Sequence, residues 1–214
     1  MNRYIIPSEE EIRFSLEKRH TKAVQDKLYN AKVAVCGLGG LGSNIAISLA
    51  RTGIGSLHLI DFDRVDLSNL NRQQYKLNQI NQPKPEALKI SILEFAPYCQ
   101  IKTDFIKINE ENIPSLLSLD TYICEAFDRP EQKAMLTNTV LEKLPEKYLV
   151  GASGMIGYGS NHLMKTRKIM AHYYLCGDGL AEGDGLGLMA PRVMLCAAQQ
   201  ANTIIRLIME KYEV

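Results

Sequence analysis

Two hydrophobic periods alternate along most of the chain, and they predict strands and helices in turn. The short apolar or alternating runs of strand length are KVAVCG, SLHLID, QIKTDFIKI, DTYICEAF and KYLVGASG. The segments with helical spacing are LGSNIAISLARTG, KPEALKISILEFAP, NEENIPSLLSL and RPEQKAMLTNTVLEKL. Strands that alternate with helices predict an α/β fold, in which a Rossmann-like, mostly parallel sheet carries helices on both faces.

The N-terminal residues have a different pattern. Ser8 and Glu11 have the spacing of a helix capping box, and a sparse apolar stripe continues to about Asn30. This pattern predicts one continuous helix between Ser8 and Asn30. We therefore expect an N-terminal helical arm over residues 1–30, followed by a single domain over residues 31–214.

Beyond KYLVGASG the sequence becomes rich in glycine and breaks into short alternating pieces. We expect a small antiparallel C-terminal extension there. A closing helix is then predicted in APRVMLCAAQQANTIIRLIMEKY, where Pro191 suits the first turn. The connection Ala181–Leu188 offers few side chains to bury, which predicts a mobile loop.

Composition narrows the class of protein but not its activity. Apolar residues make up 46% of the 214 residues, charged residues make up 23%, and the formal net charge is +1. This balance is ordinary for a soluble globular protein and gives no general attraction to nucleic acid or membranes. No apolar run reaches transmembrane length and the N-terminus has no signal-peptide core. We therefore expect a cytoplasmic protein without nucleic-acid or membrane partners.

The five cysteines are scattered along the chain and contain no C-x-x-C pair. A disulfide framework, or a zinc site built from closely spaced pairs, is therefore not expected. Cys36, Cys124 and Cys196 lie in apolar contexts, which predict small buried side chains.

A glycine-rich loop follows the first predicted strand. Gly37, Gly39 and Gly42 fit the pattern G-x-G-x-x-G between a strand and a helix. In that context, backbone N–H groups can approach phosphates at the positive end of the helix. Asp61 stands at the end of the next predicted strand and can accept hydrogen bonds from ribose hydroxyls. The pattern indicates a phosphate-bearing nucleotide, but it does not choose between NAD and ATP.

A second group of polar residues follows Asp61 and bears on this choice. Its members are Asp63, Ser68, Asn69, Arg72 and Gln73. A hydride-transfer enzyme has no evident use for these groups, whereas phosphoryl or adenylyl transfer develops charge on phosphate oxygens that fixed polar groups must stabilise. Arg72 could clamp a phosphate in a bidentate manner, and Asn69 and Gln73 could hold phosphate or ribose oxygens.

Lys84 and Asp128 add a cation and a carboxylate to this set. Lys84 could act as a point charge on phosphate. Asp128 follows a predicted strand whose end should share an edge of the sheet with Gly37 and Asp61, and its carboxylate could hold magnesium. Each residue also has a simpler interpretation. Lys84 could be a solvated helix start, Arg72 a member of a surface ion pair, and Asp128 a cap of the following helix.

Several motifs resemble those of the ubiquitin-activating-like adenylyltransferases that act on small ubiquitin-like sulfur carriers. These motifs are GLGGLGSNIA, DFDRVDLSNLNRQ, QPK and EAFDRPEQK, and then VGASGMIGYGS, KTRKI, YLCGDG and GLMAPRVMLCAAQQAN. The likeness is closest to the short-chain ThiF branch, which serves the sulfur carrier of the thiamin pathway. It covers about Lys18 to Leu207. The middle motifs are highly specific, whereas the glycine loop alone is not.

The resemblance implies an ATP site with magnesium. The implied nucleotide-binding residues are Gly37, Gly39, Gly40, Gly42, Asp61, Asp63, Ser68, Asn69, Arg72, Gln73, Lys84 and Asp128. Within this set the glycine loop would lie at the phosphates, Asp61 would hold ribose, and Asn69 and Arg72 would be principal contacts of the triphosphate. Lys84 would stabilise charge at the reacting phosphate, and Asp128 would place magnesium.

The family also implies a homodimer and an arginine from an N-terminal segment, often supplied by the partner subunit. Arg19 is the best match, and Arg13 is the alternative because the spacing to the glycine loop is shorter than usual. The implied catalytic residues are Arg72, Lys84, Asp128 and Arg19. The implied reaction is ATP-dependent adenylation of a carrier's C-terminal Gly-Gly carboxylate, with release of pyrophosphate, in thiamin thiazole biosynthesis. Since a carboxylate is already ionised at neutral pH, positioning and charge stabilisation should supply most of the rate.

Departures from the family leave some points open. Many members bind structural zinc through two C-x-x-C pairs that this chain lacks, so no zinc is expected. Cys176 is the one cysteine near the region where some members carry a catalytic thiol. The loop GDGLAEGDGLGLMAP is interpreted as ordering over the extended carrier tail, with a solvated acidic loop as the alternative.

Two other classes of function compete with this interpretation. One is a tRNA threonylcarbamoyladenosine dehydratase-like ATP enzyme, which should show a basic face that the neutral composition does not suggest. The other is a nicotinamide-dependent oxidoreductase or a non-catalytic nucleotide sensor. The polar residues after Asp61 argue against the oxidoreductase. A pseudo-enzyme would be expected to lose Arg72, Lys84 or Asp128, and all three are present.

Overall fold

A computed structural model describes residues 5–180 and 186–214 of the chain. It contains a seven-stranded sheet in the order β3-β2-β1-β4-β5-β7-β6. The strands are β1 (Lys32–Cys36), β2 (Ser56–Asp61), β3 (Gln100–Phe105), β4 (Tyr122–Glu125), β5 (Tyr148–Ala152), β6 (Lys165–Met170) and β7 (Tyr173–Gly177). All neighbouring strands are parallel except β6 and β7, which confirms the predicted mostly parallel sheet.

Helices cover both faces of the sheet, as the sequence pattern predicts. They are α1 (Glu9–His20), α2 (Lys22–Asn30), α3 (Gly40–Arg51), α4 (Lys84–Leu93), α5 (Ile113–Leu116), α6 (Pro130–Lys143) and α7 (Ala190–Ile208). Apolar side chains of α3, α4 and α7 form one core cluster with Val33 and Val35 of β1. Ala34 and Cys36 join a second cluster with α5 and α6. Because successive strand residues point to opposite faces and both faces are covered, β1 reads as a continuous apolar run.

The predicted N-terminal helix is two helices in the structure. α1 begins at the predicted capping box of Ser8 and Glu11, which is confirmed. It ends at Thr21, whose φ of 75° lies in the left-handed region and whose side chain accepts a hydrogen bond from Val24 N–H at the start of α2. The single-helix prediction is wrong because a threonine, and not a glycine, makes the break. The division into an arm and one domain stays a prediction.

The C-terminal part of the sheet confirms the predicted antiparallel extension. β7 pairs in parallel with β5 and in antiparallel with β6, which is the outermost strand and exposes Lys165, Arg167 and Lys168. α7 then packs against α3 and closes the domain, as predicted. Of the predicted loop Ala181–Leu188, residues 181–185 lie outside the described residues, so its mobility and its role toward a carrier tail stay predictions.

Cys36, Cys124 and Cys196 are each 0% exposed, which confirms that they are small buried side chains. Among the helices of the described residues, none has the length and apolar character needed to span a membrane.

Candidate active site

The carboxyl ends of the parallel strands bring the predicted site residues to one edge of the sheet. Gly37 directly follows β1, Asp61 is the last residue of β2, and Asp128 stands in the turn after β4. Gly37 N–H donates to Ile60 O at 2.9 Å and so joins the first two strand ends. This edge therefore carries the glycine loop, the first aspartate and the predicted metal ligand, as expected for an open parallel sheet.

The glycine loop is tight enough to require two of its glycines. Gly37 has a φ of 89°, which favours glycine, and a Cβ on Gly42 would lie 1.8 Å from Gly37 O. Gly39 is different, because it is the N-cap residue of α3 and a Cβ there would lie 3.8 Å from its nearest neighbour, Gln73 Nε2. The loop is thus open at Gly39, where the helix N-terminus favours an anion.

Asp61 is held by the backbone on both sides. Leu38 N–H donates to Asp61 Oδ2 at 2.6 Å, and Asp63 N–H donates to Oδ1 at 2.8 Å. Burial raises the pKa of Asp61, although the charge of Lys84 and the two backbone hydrogen bonds offset part of this effect. Each carboxylate oxygen retains a further lone pair, so Asp61 can still accept a hydrogen bond from a ligand hydroxyl.

Lys84 is a buried cation, and the interpretation as a solvated helix start is wrong. The residue is 5% exposed at the first position of α4, and its Nζ lies 3.1 Å from Asp63 Oδ2. Lys84 N–H also donates to Asp63 O at 3.0 Å, which fixes the start of α4 against the turn after β2. An ammonium group has three donors, so Lys84 can keep this ion pair and still donate to a ligand oxygen.

Residues 66–75 form a turn, which we name the polar turn, and its first half is held by its own side chains. Asp66 caps a short 3-10 helix, Leu67–Asn69. Ser68 N–H and Oγ donate to Asp66 Oδ1 at 2.8 and 2.6 Å, and Asp66 N–H donates to Asn69 Oδ1 at 3.1 Å. Ser68 and Asn69 therefore shape the turn, whether or not they also contact a ligand.

The polar turn is fastened to the glycine loop by residues that the sequence analysis missed. Tyr75 Oη donates to Leu38 O at 2.8 Å, and Asn44 Nδ2 donates to Arg72 O at 3.1 Å. Tyr75 and Asn44 are both buried. The only signal in the sequence was their position. Asn44 lies within the motif GLGGLGSNIA, and Tyr75 comes shortly after DFDRVDLSNLNRQ. Hydrogen-bond partners so far apart along the chain leave no periodic pattern.

Arg72 and Gln73 lie over the N-terminus of α3. Arg72 Cγ would lie 3.4 Å from a Cβ on Gly40, and the guanidinium donates to Asn71 Oδ1 at 2.8 Å. Arg72 forms no ion pair with any residue that the structure describes, so nothing in that part of the chain supports the surface-ion-pair interpretation. Gln73 is buried, and within residues 5–180 and 186–214 its Oε1 accepts no hydrogen bond. An unpaired buried carbonyl oxygen costs about 1–3 kcal/mol, so Gln73 Oε1 is an acceptor suited to a ligand donor.

Asp128 is exposed and does not cap the following helix. The N-cap position of α6 is Arg129, and no side chain caps it, so the interpretation of Asp128 as a helix cap is wrong. Among the described residues, no group of three or more His, Cys, Asp and Glu side chains could hold a metal ion. Magnesium commonly binds through one or two carboxylates together with phosphate oxygens and water. A single free carboxylate beside a phosphate site fits that mode of binding.

The N-terminal arginines lie away from this edge of the sheet. Arg13 pairs with Glu17 and Asp26 in the arm. Arg19 is exposed near the C-terminus of α1, and this end of the arm is tied by Gln25 Nε2 to Gly53 O, just after α3. The 12 residues of α3 span about 18 Å, so neither arginine joins Gly39 within one chain. Arg13 therefore lies at the opposite end of α3 from Gly39, and the role of Arg19 stays a prediction.

Two charged residues at the same edge, the buried Glu125 and the half-buried Lys133, were missed by the sequence analysis. Glu125, the last residue of β4, is 2% exposed, and Lys133 Nζ lies 3.1 and 3.0 Å from its Oε1 and Oε2. Burial raises the pKa of Glu125, and Lys133 offsets part of this effect. The signal in the sequence was a glutamate inside an otherwise apolar strand, because such a residue needs a partner when it is buried.

Cys176 is poorly placed to act as a nucleophile. It lies in β7 and is 0% exposed, with Thr166 Oγ1 and Thr203 Oγ1 at 3.5 and 3.8 Å from its Sγ. Burial raises the pKa of this thiol, which lowers the fraction of reactive thiolate at neutral pH.

The sheet order and the glycine loop define a Rossmann-like domain, and solved structures share this fold. The Escherichia coli tRNA N6-threonylcarbamoyladenosine dehydratase in complex with ATP has a TM-score of 0.85 at 21% identity, with 97% of this chain and 98% of that chain covered. The E. coli MccB structure with ATP has a TM-score of 0.66 at 23% identity, with 89% and 59% covered. At these identities the similarity shows the fold alone.

The chain belongs to the ThiF family, whose model matches residues 13–214, so the family inferred from the motifs is confirmed. The molybdopterin-synthase adenylyltransferase of Haemophilus influenzae is 36% identical over 113 residues, which cover 52% of this chain and 46% of that protein. The tRNA threonylcarbamoyladenosine dehydratase of Bacillus subtilis is 43% identical over 121 residues, which cover 55% and 47%. The matched region thus spans about half the length of these two relatives.

Proposed function

We propose that this protein is an ATP-dependent adenylyltransferase that activates the C-terminal Gly-Gly carboxylate of a ubiquitin-like sulfur carrier of the ThiS type, for thiamin thiazole biosynthesis. Membership of the ThiF family and the relative named as a molybdopterin-synthase adenylyltransferase support the class of reaction. The observation that carries the proposal is the polar turn over the N-terminus of α3. Arg72 and the unpaired Gln73 Oε1 lie there beside Gly39 and Gly40.

In the proposed complex, the nucleotide lies along the edge of the sheet with its phosphates at the N-terminus of α3. Backbone N–H groups at Gly39 and Gly40 meet the phosphates, and Asp61 accepts a hydrogen bond from ribose. The base occupies a small cavity next to the ribose site. This cavity is lined by Ile60, Asp61, Phe62, Ile106, Lys107, Ile108, Phe127 and Gln132.

The proposed chemistry needs no protein nucleophile. The carrier carboxylate is ionised at neutral pH and attacks the α-phosphorus of ATP. The bond from that phosphorus to the bridging oxygen breaks, pyrophosphate leaves with the bonding electrons, and an acyl-adenylate forms. Lys84 and Arg72 stabilise the negative charge that develops on the phosphate oxygens, and Asn69 and Gln73 orient the triphosphate. This division of roles agrees with the burial of Cys36, which directly precedes the glycine loop, and of Cys176.

Magnesium fits this site through Asp128. Its exposed carboxylate can supply one oxygen ligand, and the triphosphate supplies the others. When bound, the ion neutralises charge on the phosphates and orients them. Asp128 itself contributes by holding that position at the end of β4, close to the glycine loop.

We further propose that the protein acts as a homodimer in which Arg19 reaches the site of the other subunit. Arg19 is exposed at the end of the arm, and about 18 Å of α3 separates that end from Gly39 in the same chain. An arginine that cannot reach its own site is free to serve a symmetry-related one, because a two-fold interface exchanges equivalent surfaces.

A second candidate function has specific support. The Bacillus subtilis relative named as a tRNA threonylcarbamoyladenosine dehydratase is 43% identical over the matched region. The Escherichia coli structure of that name also covers 97% of this chain. Such an enzyme would use ATP to activate a small carboxylate group of a modified tRNA. The two candidates share the nucleotide site and differ in the carboxylate they activate.

Pyrophosphate exchange separates these functions. The protein is mixed with ATP, magnesium and labelled pyrophosphate, together with a carrier ending in Gly-Gly, the same carrier without its last glycine, or tRNA bearing threonylcarbamoyladenosine. The proposal expects label to enter ATP only with the intact carrier. ATP turnover only with the tRNA would establish the second function and reject the first. A protein inactive with all three substrates would contradict both.

A further inference from the structure

We infer that the ion pair between the buried Glu125 and the half-buried Lys133 is a positioning device that sets Asp128 against the glycine loop; this inference rests on the proposed function. The ammonium group of Lys133 uses all its donors. It lies 3.1 and 3.0 Å from the two carboxylate oxygens of Glu125 and donates to Ala152 O at 3.0 Å. One side chain of α6 thereby joins the ends of β4 and β5.

The carboxylate of Glu125 also shapes the turn that leads to Asp128. Phe127 N–H donates to Glu125 Oε1 at 2.8 Å, and Ala126 N–H donates to Cys36 O at 2.9 Å. The next residue along the chain is Asp128. The direction in which the turn leaves β4, and with it the position of Asp128, is therefore fixed by an oxygen atom that Lys133 holds in place.

The same turn abuts the glycine loop. A Cβ on Gly37 would lie 2.9 Å from Ala126 O and 2.9 Å from Phe127 Cδ1. Phe127 also lines the small cavity beside Asp61. A displaced turn would therefore move Asp128 relative to both the glycine loop and the proposed base site.

Neighbouring groups leave the Glu125 carboxylate little freedom. A Cβ on Gly151 would lie 3.3 Å from Glu125 Oε2. The backbone is fixed as well, because Gln200 Nε2 donates to Glu125 O at 2.9 Å and to Val150 O at 3.1 Å. A buried ion pair adds little net stability compared with an apolar pair of the same size, so a gain in geometry is the stronger reason to keep one here.

Glu125→Gln tests the inference. The amide keeps the size of the side chain and an acceptor for Phe127 N–H, but it removes the charge that holds Lys133. ATP affinity is measured by calorimetry, once with magnesium and once with a chelator. We expect unchanged binding of ATP alone and a loss of about 10–100-fold in magnesium-dependent affinity, the range seen when supporting groups of metal sites are removed. The magnesium concentration for half-maximal pyrophosphate exchange should rise in parallel.

Matched variants separate charge from structure. Glu131→Gln makes the same chemical change at an exposed position of α6 and should leave both measurements unchanged. Lys133→Arg keeps the positive charge and should retain more magnesium coupling than Glu125→Gln. If Glu125→Gln does not fold, the double variant Glu125→Gln/Lys133→Met leaves no unpaired buried charge and should show the same loss of magnesium coupling.

The possible outcomes are distinct. A folded Glu125→Gln or double variant with wild-type magnesium coupling would overturn the inference. Equal losses of ATP affinity with and without magnesium would also overturn it, since a purely structural role predicts that pattern. If the unaltered protein itself bound ATP without any effect of magnesium, the proposed function would fail together with this inference, whereas magnesium coupling that is present in the unaltered protein and unchanged in the variants would overturn the inference alone.

Discussion

The two ends of helix α3 are built in opposite ways. At its N-terminus, charged side chains are buried, with Lys84 5% and Glu125 2% exposed. At its C-terminus, the arm packs around a mostly apolar cavity of about 170 Å³. Some ion pairs of the arm, such as Lys27–Glu210, are exposed. Charged groups near the N-terminus of α3 are therefore shielded from water, whereas the arm packs against its C-terminus through apolar contacts and surface ion pairs.

Carboxyl groups at the two ends respond to these settings in opposite directions. Burial raises the pKa of Asp61 and of Glu125. At the arm, the hydrogen bond and charge of Lys27 lower the pKa of Glu210. Burying a charged group lowers the free energy of unfolding. Charged groups buried together at one edge of the sheet therefore indicate that this edge is kept for function and not for stability. We therefore expect substitutions near the N-terminus of α3 to change activity strongly, and substitutions near its C-terminus to change mainly stability.

The largest expected effect is on catalysis at the first end. Lys84→Ala removes the buried cation at the proposed phosphate site, and Asp128→Ala removes the proposed magnesium ligand. Each should lower carrier-dependent pyrophosphate exchange by at least about 100-fold. Lys22→Ala breaks the exposed pair with Asp26 in the arm and serves as the control. Comparable losses in Lys22→Ala would refute the contrast between the two ends.

A pair of glycine substitutions sharpens the contrast. Gly42→Ala places a Cβ 1.8 Å from a backbone oxygen, so the phosphate loop must move. We expect a loss of about 3 kcal/mol or more in the free energy of unfolding, together with loss of ATP binding. Gly53→Ala strains a residue whose φ is 88° and meets the side chain of Gln25. It should cost about 1–3 kcal/mol and leave ATP affinity unaltered. Denaturant titration and calorimetry measure both; ATP binding by a folded Gly42→Ala protein would contradict this view of the loop.

Mixing two inactive variants tests whether the arm serves another subunit. Arg19→Ala and Lys84→Ala proteins are unfolded together, refolded as a mixture and assayed for exchange. If Arg19 acts across a two-fold dimer, mixed dimers contain one intact site, and roughly a quarter of all sites should be active. Each variant refolded alone supplies the background. No recovery above that background in confirmed mixed dimers would exclude a role of Arg19 in the other subunit.

The smallest expected effect is on the pH dependence of stability, through the ion pair Lys27–Glu210 of the arm. The pKa of Glu210 is lowered by Lys27, so its ion pair stabilises the protein above the ordinary glutamate pKa. That contribution is lost as the pH falls through the lowered value. The thermal midpoint of Glu210→Gln should therefore lie slightly below that of the unaltered protein at pH 7, and the difference should vanish once the pH is below the lowered pKa, as expected for an exposed pair. Wild-type exchange activity is expected in this variant; a large drop in either quantity would contradict the contrast.

Much of the fold could be predicted because the hydrophobic period reports which side of each element is buried. The strands, the helices on both faces and the meeting of Gly37, Asp61 and Asp128 at one edge follow from that pattern and from strand direction. The break at Thr21 could not be predicted, because its left-handed backbone is set by contacts on both sides and not by a glycine signal.

The environment of the site residues was harder to predict than their position. Lys84 looks like a surface residue between two prolines, yet the turn containing Asp63 closes over it. Glu125 was hidden in an apolar strand because its partner, Lys133, comes from the following helix. Motif spacing locates a functional side chain along the chain, whereas its burial depends on elements that meet only in three dimensions.

The outermost strand, β6, also limits how copies of this protein can associate. Its free edge is flanked by Lys165, Arg167 and Lys168, which are all exposed. An unprotected edge would recruit strands from other molecules, and like charges along it oppose such stacking. Neutral replacements at these three positions would therefore lower solubility at high concentration and during refolding, even though none of them lies in the proposed nucleotide site.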